Sequence, residues 1–164
     1  GTPASCIRAG TLGLPLMIAV IGGETHRFNY QTKIYREAGK KAGHNESQLK
    51  VGIHSLGYVA ETTEKAQDEF YPGYEKVFNQ IGRERGWSPV SRAHFQMQTG
   101  PLGALVVGSP DDVVDKIIRH SNALGGLSRF TFQMNVAALN HNKVLNSVKL
   151  IANEVIPKLQ ERLK

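Results

Sequence analysis

The stretch LPLMIAVIGG, residues 14–23, decides the fold of this 164-residue chain. It is a nearly continuous apolar run that ends in two glycines, and it is too short for a buried helix. Its second half is rich in side chains branched at Cβ, which is typical of a strand covered on both faces of a parallel sheet. The sequence therefore predicts a β-strand over about residues 14–21.

A predicted helix follows this strand. Residues 27–42 place apolar side chains at helical spacing among polar ones, and Gly43 is a typical stop. A second strand is predicted over residues 49–59 (LKVGIHSLGYV). A strand, a helix and a second strand in this order form the repeating unit of a parallel α/β sheet.

A long helix is predicted after the second strand. It begins at Thr62 or Thr63 and runs to about Gly86, with a kink or a split at Pro72. Residues 87–103 show little periodicity and several turn residues, so we expect them to pass over one face of the domain.

The last part of the chain repeats the pattern. Residues 104–107 are short and apolar, and Ser109 followed by Pro110 and two acidic residues is a strong helix start. Residues 129–137 alternate as a third strand, and a closing helix follows with a late break at Pro157. A helical segment also precedes the first strand with no strand of its own, so we expect a missing strand before it.

Composition restricts the function classes. The net charge of +6 comes from basic residues scattered among acidic ones, which favours a solvated surface over nucleic-acid binding. The longest apolar run has about ten residues, far below the roughly 20 of a membrane span. The one cysteine, Cys6, excludes a disulfide framework and is expected to pack inertly. We expect a cytoplasmic protein with no metal site.

Six strings carry a resemblance to a known family, and they come in the family's order. These are GTPASCIRAGTLGLPLMIAVIGG (1–23), RF…YREAGKKAG (27–43), HSLGYVAETTEKAQDEFYPGY (54–74), IGRERGW (81–87), GALVVGSPDDVVDKI (103–117) and LSRFTFQM (127–134). The sequence resembles, over all 164 residues, the C-terminal half of luciferase-like flavin-dependent monooxygenases.

The resemblance implies a fold and an assembly. Members of this family are (β/α)₈ barrels, usually homodimers, that hold reduced FMN, or in a sister branch a deazaflavin, at the C-terminal ends of the strands. The three predicted strands would be the sixth, seventh and eighth. Because a whole barrel needs about 250 residues, residues 1–164 would form a partial barrel domain without its first five strands. Its unpaired edges favour association with another copy.

The resemblance also suggests cofactor-binding residues. Thr2 and Ser5 lie in a loop that in the family contacts the FMN phosphate, although both are also ordinary helix caps. Arg8 would neutralise phosphate charge or face solvent. Gly22 and Gly23 follow the first strand, where missing side chains admit a flat ring or simply allow a tight turn.

Histidines are the remaining candidates. His54 lies within the second strand, and it is a catalytic candidate if it faces the barrel interior; otherwise it is a satisfied core group. His26 and Arg27 share the loop after the first strand. His141 follows Asn140, where the family usually has Pro-His, and this departure weakens any shared role there.

Together these features predict a flavin-dependent monooxygenase that inserts one oxygen atom of O₂ into a small organic substrate. Reduced FMN, favoured over a deazaflavin, would come from a flavin reductase, and the 164 residues alone would be inactive. The alternative is a non-catalytic half-barrel module that self-associates and binds a phosphate-bearing ligand. The substrate is left open.

Overall fold

The computed structural model describes residues 1–163, which form four strands and seven α-helices. In chain order they are α1 Pro3–Thr11, β1 Leu16–Ala19, α2 Asn29–Lys41, β2 Val51–Val59, α3 Thr63–Arg85, α4 Arg92–Thr99, β3 Val106–Gly108, α5 Pro110–Ala123, β4 Arg129–Gln133, α6 His141–Leu150 and α7 Ile156–Arg162. Short 3₁₀ turns precede α2 (Thr25–Phe28) and α6 (Asn135–Ala137), and a π-helical turn (Ile151–Val155) joins α6 to α7.

All strand pairs of the sheet are parallel, as predicted. Strand β2 lies in the centre, because its residues 51–54 pair with β1 and its residues 52–56 pair with β4. The three predicted strands are therefore neighbours in the order β1, β2, β4. Each is shorter than its prediction of residues 14–21, 49–59 or 129–137.

Strand β3 is a fourth strand, in a stretch that the sequence marked only as short and apolar. Alternate residues of a strand direct their peptide groups to the same edge. Ala60 N donates to Gly108 O of β3 (3.3 Å), and His54 O accepts from Val20 N just after β1 (2.8 Å). His54 of β2 and Ala60, which directly follows β2, are six residues apart, an even number, so their peptide groups point to the same edge. Strands β1 and β3 therefore lie one after the other along that edge of β2.

The predicted helix starts are confirmed. Thr62 Oγ1 accepts a hydrogen bond from Lys65 N (3.2 Å) at the start of α3, and Ser109 Oγ accepts one from Asp112 N (3.3 Å) at the start of α5. Of the two alternatives predicted at Pro72, the split is wrong, because α3 continues through that residue. Packing of its buried face outweighs the lost backbone hydrogen bond.

Two further helix predictions change in detail. The excursion over residues 87–103 contains α4, which Ser91 caps by accepting from His94 N (3.1 Å). The closing helix departs from α geometry before Pro157, in the π-helical turn of residues 151–155. Pro157 has no N–H for the carbonyl four residues earlier, which accounts for the irregular turn there.

Helices α1, α2 and α5 pack on one face of the sheet, here called the outer face. Ile53 of β2 is fully buried there beside Ile18, Val20 and Leu124. Cys6 of α1 is buried against Tyr35 of α2, as expected of an inert packing residue. A second apolar cluster lies on the opposite face, where it joins the end of β2 to α3 and α4; it contains Leu56, Tyr58, Phe70, Tyr74 and Phe95.

Candidate functional site

The opposite face of the sheet, here called the inner face, is partly exposed beside β1 and the first half of β2, whereas α3 and α4 cover it at the end of β2. Side chains alternate between the two faces of a strand, and residues in parallel register share a face. Met17 is 50% exposed, whereas Ile18 beside it is 8% exposed. Two in-register rows form the inner face: Met17, Gly52 and Arg129, then Ala19, His54 and Thr131.

His54 therefore lies on the inner face, as its catalytic candidacy requires. Its Nε2 is 2.6 Å from Oε1 of Gln133, which lies two residues beyond the in-register partner of His54, Thr131. Both side chains are half-buried. Within residues 1–163, Nδ1 of His54 makes no hydrogen bond. One nitrogen of the His54 ring, Nε2, is therefore hydrogen-bonded, and the other, Nδ1, is available to a ligand.

A cleft with a volume of about 850 Å³ opens on this face, next to His54. Its volume lies in the range of small-molecule sites, which combine apolar walls with a few polar groups. Its lining has this character and comprises Met17, His54, Thr131, Phe132, Gln133, Met134, Asn135, Ala138, Leu139, Val144 and Val148. The cleft reaches from within the strands, at Met17, His54 and Thr131, to the residues that follow the C-terminal end of β4.

The glycine loop after β1 has two different glycines. Gly22 has open space where a side chain would begin, so another group can approach its backbone. Gly23 has a φ of +76°, which is strained for other residues, and its N–H donates to Gln98 Oε1 (3.2 Å). The tight-turn interpretation holds for Gly23, whereas Gly22 retains the space that a ligand needs.

At the start of α1, the two candidate hydroxyls form a helix cap. Thr2 Oγ1 accepts from Ser5 N (3.3 Å), and Ser5 Oγ donates to Thr2 O (2.7 Å). Both residues are exposed, and so is Arg8 one turn later. The capping role of this loop is therefore present, and the structure does not bring these residues into contact with His54.

The other candidates have local roles. His26 Nδ1 lies 3.0 Å from Glu24 Oε2, and both side chains are largely exposed. His141 is the first residue of α6, and Asn140 caps that helix by accepting from Lys143 N (3.0 Å). This cap explains physically why an asparagine suits position 140.

Sequence reasoning did not find the buried Lys116 of α5. Its ammonium donates to three backbone carbonyls: Leu105 (2.5 Å), Thr99 (2.9 Å) and Gln98 (3.3 Å). Burial lowers the pKa of Lys116 to about 7, helped by the charge of Arg119. Lys116 therefore ties α5 to the end of α4 and to Leu105 just before β3.

His120 of α5 is the second buried ionisable group that the sequence did not reveal. Its Nδ1 is hydrogen-bonded to the hydroxyl of Thr25, and its Nε2 is buried without a partner. Burial lowers the pKa of His120 to about 4, and the nearby charges of Lys116 and Arg119 act in the same direction. The ring is therefore neutral near pH 7 and links α5 to the turn before α2.

Two classes of site are absent from residues 1–163. No three His, Cys, Asp or Glu side chains in this part of the chain are grouped so that they could hold a metal ion. In the same range, no helix combines the length and the apolar character needed to span a bilayer.

Comparison with known proteins decides the family. A sequence profile of luciferase-like monooxygenases matches residues 1–127, more than three quarters of the chain. The chain belongs to the luciferase-like monooxygenase family. No curated protein shows significant sequence similarity to it.

Solved structures share the fold of this family member. RslO1, a monooxygenase from Streptomyces bottropensis, matches 96% of this chain with 45% of its own length, at 22% identity and a TM-score of 0.73. The oxygenating constituent of 3,6-diketocamphane monooxygenase from Pseudomonas putida, solved with FMN, matches 94% of this chain with 45% of its own length, at 21% identity and a TM-score of 0.68.

A third structure is a coenzyme F420-dependent tetrahydromethanopterin reductase from Methanopyrus kandleri. It matches 96% of this chain with 49% of its own length, at 17% identity and a TM-score of 0.68. The chain thus spans less than half the length of each of these three proteins. They have TIM-type barrels, so the predicted partial-barrel fold class is confirmed.

Proposed function

We propose that this chain contributes to a flavin-dependent monooxygenase, which inserts one oxygen atom of O₂ into a small organic substrate. Family membership supports the reaction class. The observation that carries the proposal is the cleft of about 850 Å³ on the inner face, which reaches the C-terminal end of β4. Barrel enzymes bind their ligands at that end.

The chemistry of the cleft suits a flavin ring. The ring is flat and largely apolar with a polar edge, and the cleft presents Met17, Met134 and Leu139 beside the polar His54 and Gln133. When bound, the reduced ring supplies the electrons that activate O₂. We propose FMN and not a deazaflavin, because the strings quoted above are similar to the luciferase-type branch. The Pseudomonas putida neighbour contains FMN and the Methanopyrus kandleri neighbour depends on F420.

We propose that the start of α1 holds the phosphate of FMN. The helix dipole favours an anion at this end, and Arg8 adds a positive charge that has no ion-pair partner within residues 1–163. Thr2 Oγ1 accepts the capping hydrogen bond and can still donate its own hydrogen to phosphate, whereas Ser5 Oγ, which donates to Thr2 O, would have to turn its hydrogen to the phosphate.

Gly22 and His54 would then serve the ring and the substrate. The open space at Gly22 allows a flat group to approach the backbone, and Gly23 sets the turn that exposes it. His54 has a free Nδ1 on the inner face, where it can accept or hold a proton. We propose His54 as the catalytic candidate of this part of the site.

We propose that residues 1–164 alone have little or no turnover. The inner face is open to solvent, and Met17 is 50% exposed, so the described residues cannot exclude water from a reaction there. The same open face and unpaired edges of β1 and β4 suit a homo-oligomer. A separate flavin reductase would supply reduced FMN to a cytoplasmic enzyme.

A paired titration with FMN and riboflavin tests the proposal. Both molecules carry the flavin ring, but only FMN carries a phosphate. We expect FMN to bind more tightly to the chain than riboflavin does, and Arg8→Gln to remove most of this difference. Arg83→Gln is the matched control, since Arg83 is exposed near the end of α3 and the charge change is the same. Equal affinity for the two ligands in the wild-type chain would contradict a phosphate site at α1, and failure of both to bind would contradict the flavin cleft.

A further inference from the structure

The contact between His54 and Gln133 determines which ring nitrogen of His54 carries the proton. The atom of Gln133 that faces His54 Nε2 is the side-chain carbonyl oxygen, Oε1, at 2.6 Å. An amide oxygen only accepts hydrogen bonds, so a hydrogen bond at this distance requires a proton on Nε2. In a neutral imidazole the other nitrogen, Nδ1, then carries the lone pair.

The β-sheet holds His54 and Gln133 in fixed relative positions. Strands β2 and β4 are bonded in parallel register along the segment that carries both residues, from Gly52 opposite Arg129 to Leu56 opposite Gln133. Both side chains therefore start from a fixed backbone on the same face, and they line the same cleft. A partner that is itself held on a strand orients a ring better than a loop residue or a water does.

We propose that Gln133 is a positioning residue that holds His54 in its Nε2–H tautomer and presents the basic Nδ1 to the cleft. The relevance of this to catalysis rests on the proposed function, because a general base must have its lone pair toward the group it deprotonates. The tautomer itself is a property of the chain and does not depend on flavin.

The opposite orientation of the Gln133 amide would give the other tautomer of His54. If the amide of Gln133 is turned by half a rotation, its NH₂ group faces His54 and donates to Nε2. The proton then resides on Nδ1, and the cleft meets a donor where the proposal places an acceptor. The two arrangements differ in which ring nitrogen is protonated, so they are distinguishable by experiment.

Nitrogen NMR of the chain labelled with ¹⁵N-histidine reads the tautomer directly. The chain has six histidines, and the His54 signals are identified by their loss in His54→Gln. At about pH 8.5 we expect a protonated Nε2 and an unprotonated Nδ1. A protonated Nδ1 in the wild-type chain would overturn the proposal without any variant.

Variants separate positioning from packing. Gln133→Leu removes the acceptor, so we expect both tautomers of His54 to appear. Gln133→Glu keeps an oxygen acceptor and should restore the Nε2–H tautomer, even if the chain is less stable. Gln160→Leu, the same replacement at an exposed glutamine of α7, should change nothing. An unchanged single tautomer in a folded Gln133→Leu chain would contradict the assignment to Gln133.

This result and the flavin titration fail independently. An Nε2–H tautomer in a chain that binds no flavin leaves the positioning role standing and rejects the proposed function. An Nδ1–H tautomer in a chain that binds FMN supports the proposed function and rejects the positioning role of Gln133.

Discussion

Ile53 and His54 are neighbours in β2, yet they lie in opposite surroundings. Ile53 faces the outer side and is fully buried under the helices, beside Ile18 and Val20. His54 faces the inner side, is half-buried, and lines an open cleft. The backbone is the same on both sides, so the difference comes from what covers each face.

The outer face contributes mainly to stability, and the inner face provides the polar groups for binding. The outer face is sealed by apolar side chains and by buried polar groups that join one element to the next, such as His120 with Thr25. The inner face keeps polar groups with free hydrogen-bonding capacity, which a binding site requires. The predictions below test this division, beginning with the largest expected effect.

Matched truncations on the two faces should have very different costs. We expect Ile53→Ala to lower the free energy of unfolding by about 3 kcal/mol, because it leaves a cavity in a fully buried site. Met17→Ala on the inner face should cost less than about 1 kcal/mol, because Met17 is half exposed. Urea denaturation measures both. Equal losses would contradict the division between the faces.

Protonation of the buried His120 at acidic pH should lower the free energy of unfolding. The pKa of His120 is lowered to about 4 from the ordinary 6.5, so the folded chain binds fewer protons than the unfolded chain between these values. The free energy of unfolding should therefore fall as the pH falls from 6.5 to 4, by an amount on the order of 3 kcal/mol from this group.

Carboxylates also titrate in this range, so the comparison is between variants. His120→Gln should show a shallower loss of stability with acid than the wild-type chain, whatever its stability at pH 7. His94→Gln is the control, because His94 is exposed. If both variants follow the wild-type slope, His120 does not act as described.

The edge of β2 beyond β4 should depend on one hydroxyl. Ser147 is fully buried, and its Oγ accepts from Val59 N (2.9 Å), a backbone group that no strand satisfies. Ser147→Ala leaves that N–H buried without a partner and should cost about 1.5 kcal/mol. Ser47→Ala, at an exposed serine, should be neutral in the same thermal or urea measurement. A neutral Ser147→Ala would mean that water or a rearrangement replaces the bond.

The smallest effect is expected at the start of α1. Thr2→Ala removes the cap that Thr2 Oγ1 provides to Ser5 N (3.3 Å), and it should cost about 1 kcal/mol. If the same variant also weakens FMN binding more than riboflavin binding, the cap residue contributes to the phosphate site. If it lowers stability alone, Thr2 is a cap and nothing more.

The outer face could be predicted from the sequence because its signals are local. The apolar run at residues 14–23 and the Ser109-Pro110 helix start need only near neighbours to be interpreted, and both were confirmed. The failures have physical reasons as well. Strand β3 has three residues, too few for a periodic signal, and α3 continues through Pro72 because tertiary packing outweighs local propensity.

The inner face could be predicted only in part. Alternation along β2 allowed His54 to face the barrel interior, but Gln133 lies 79 residues later and no sequence signal joins the two. Lys116 and His120 were missed for a related reason. Each occupies an ordinary helical position, and its burial depends on carbonyls or hydroxyls from distant segments.

The most direct test of the account is methyl NMR of the chain labelled at its three methionines during titration with FMN. Met17 and Met134 line the inner cleft, whereas Met97, 62% exposed on α4, lies outside it and is the internal control. We predict saturable shifts of the Met17 and Met134 signals with little change at Met97. Shifts confined to Met97, or no saturable shift at Met17 and Met134, would contradict the claim that the inner face of this sheet is the flavin site.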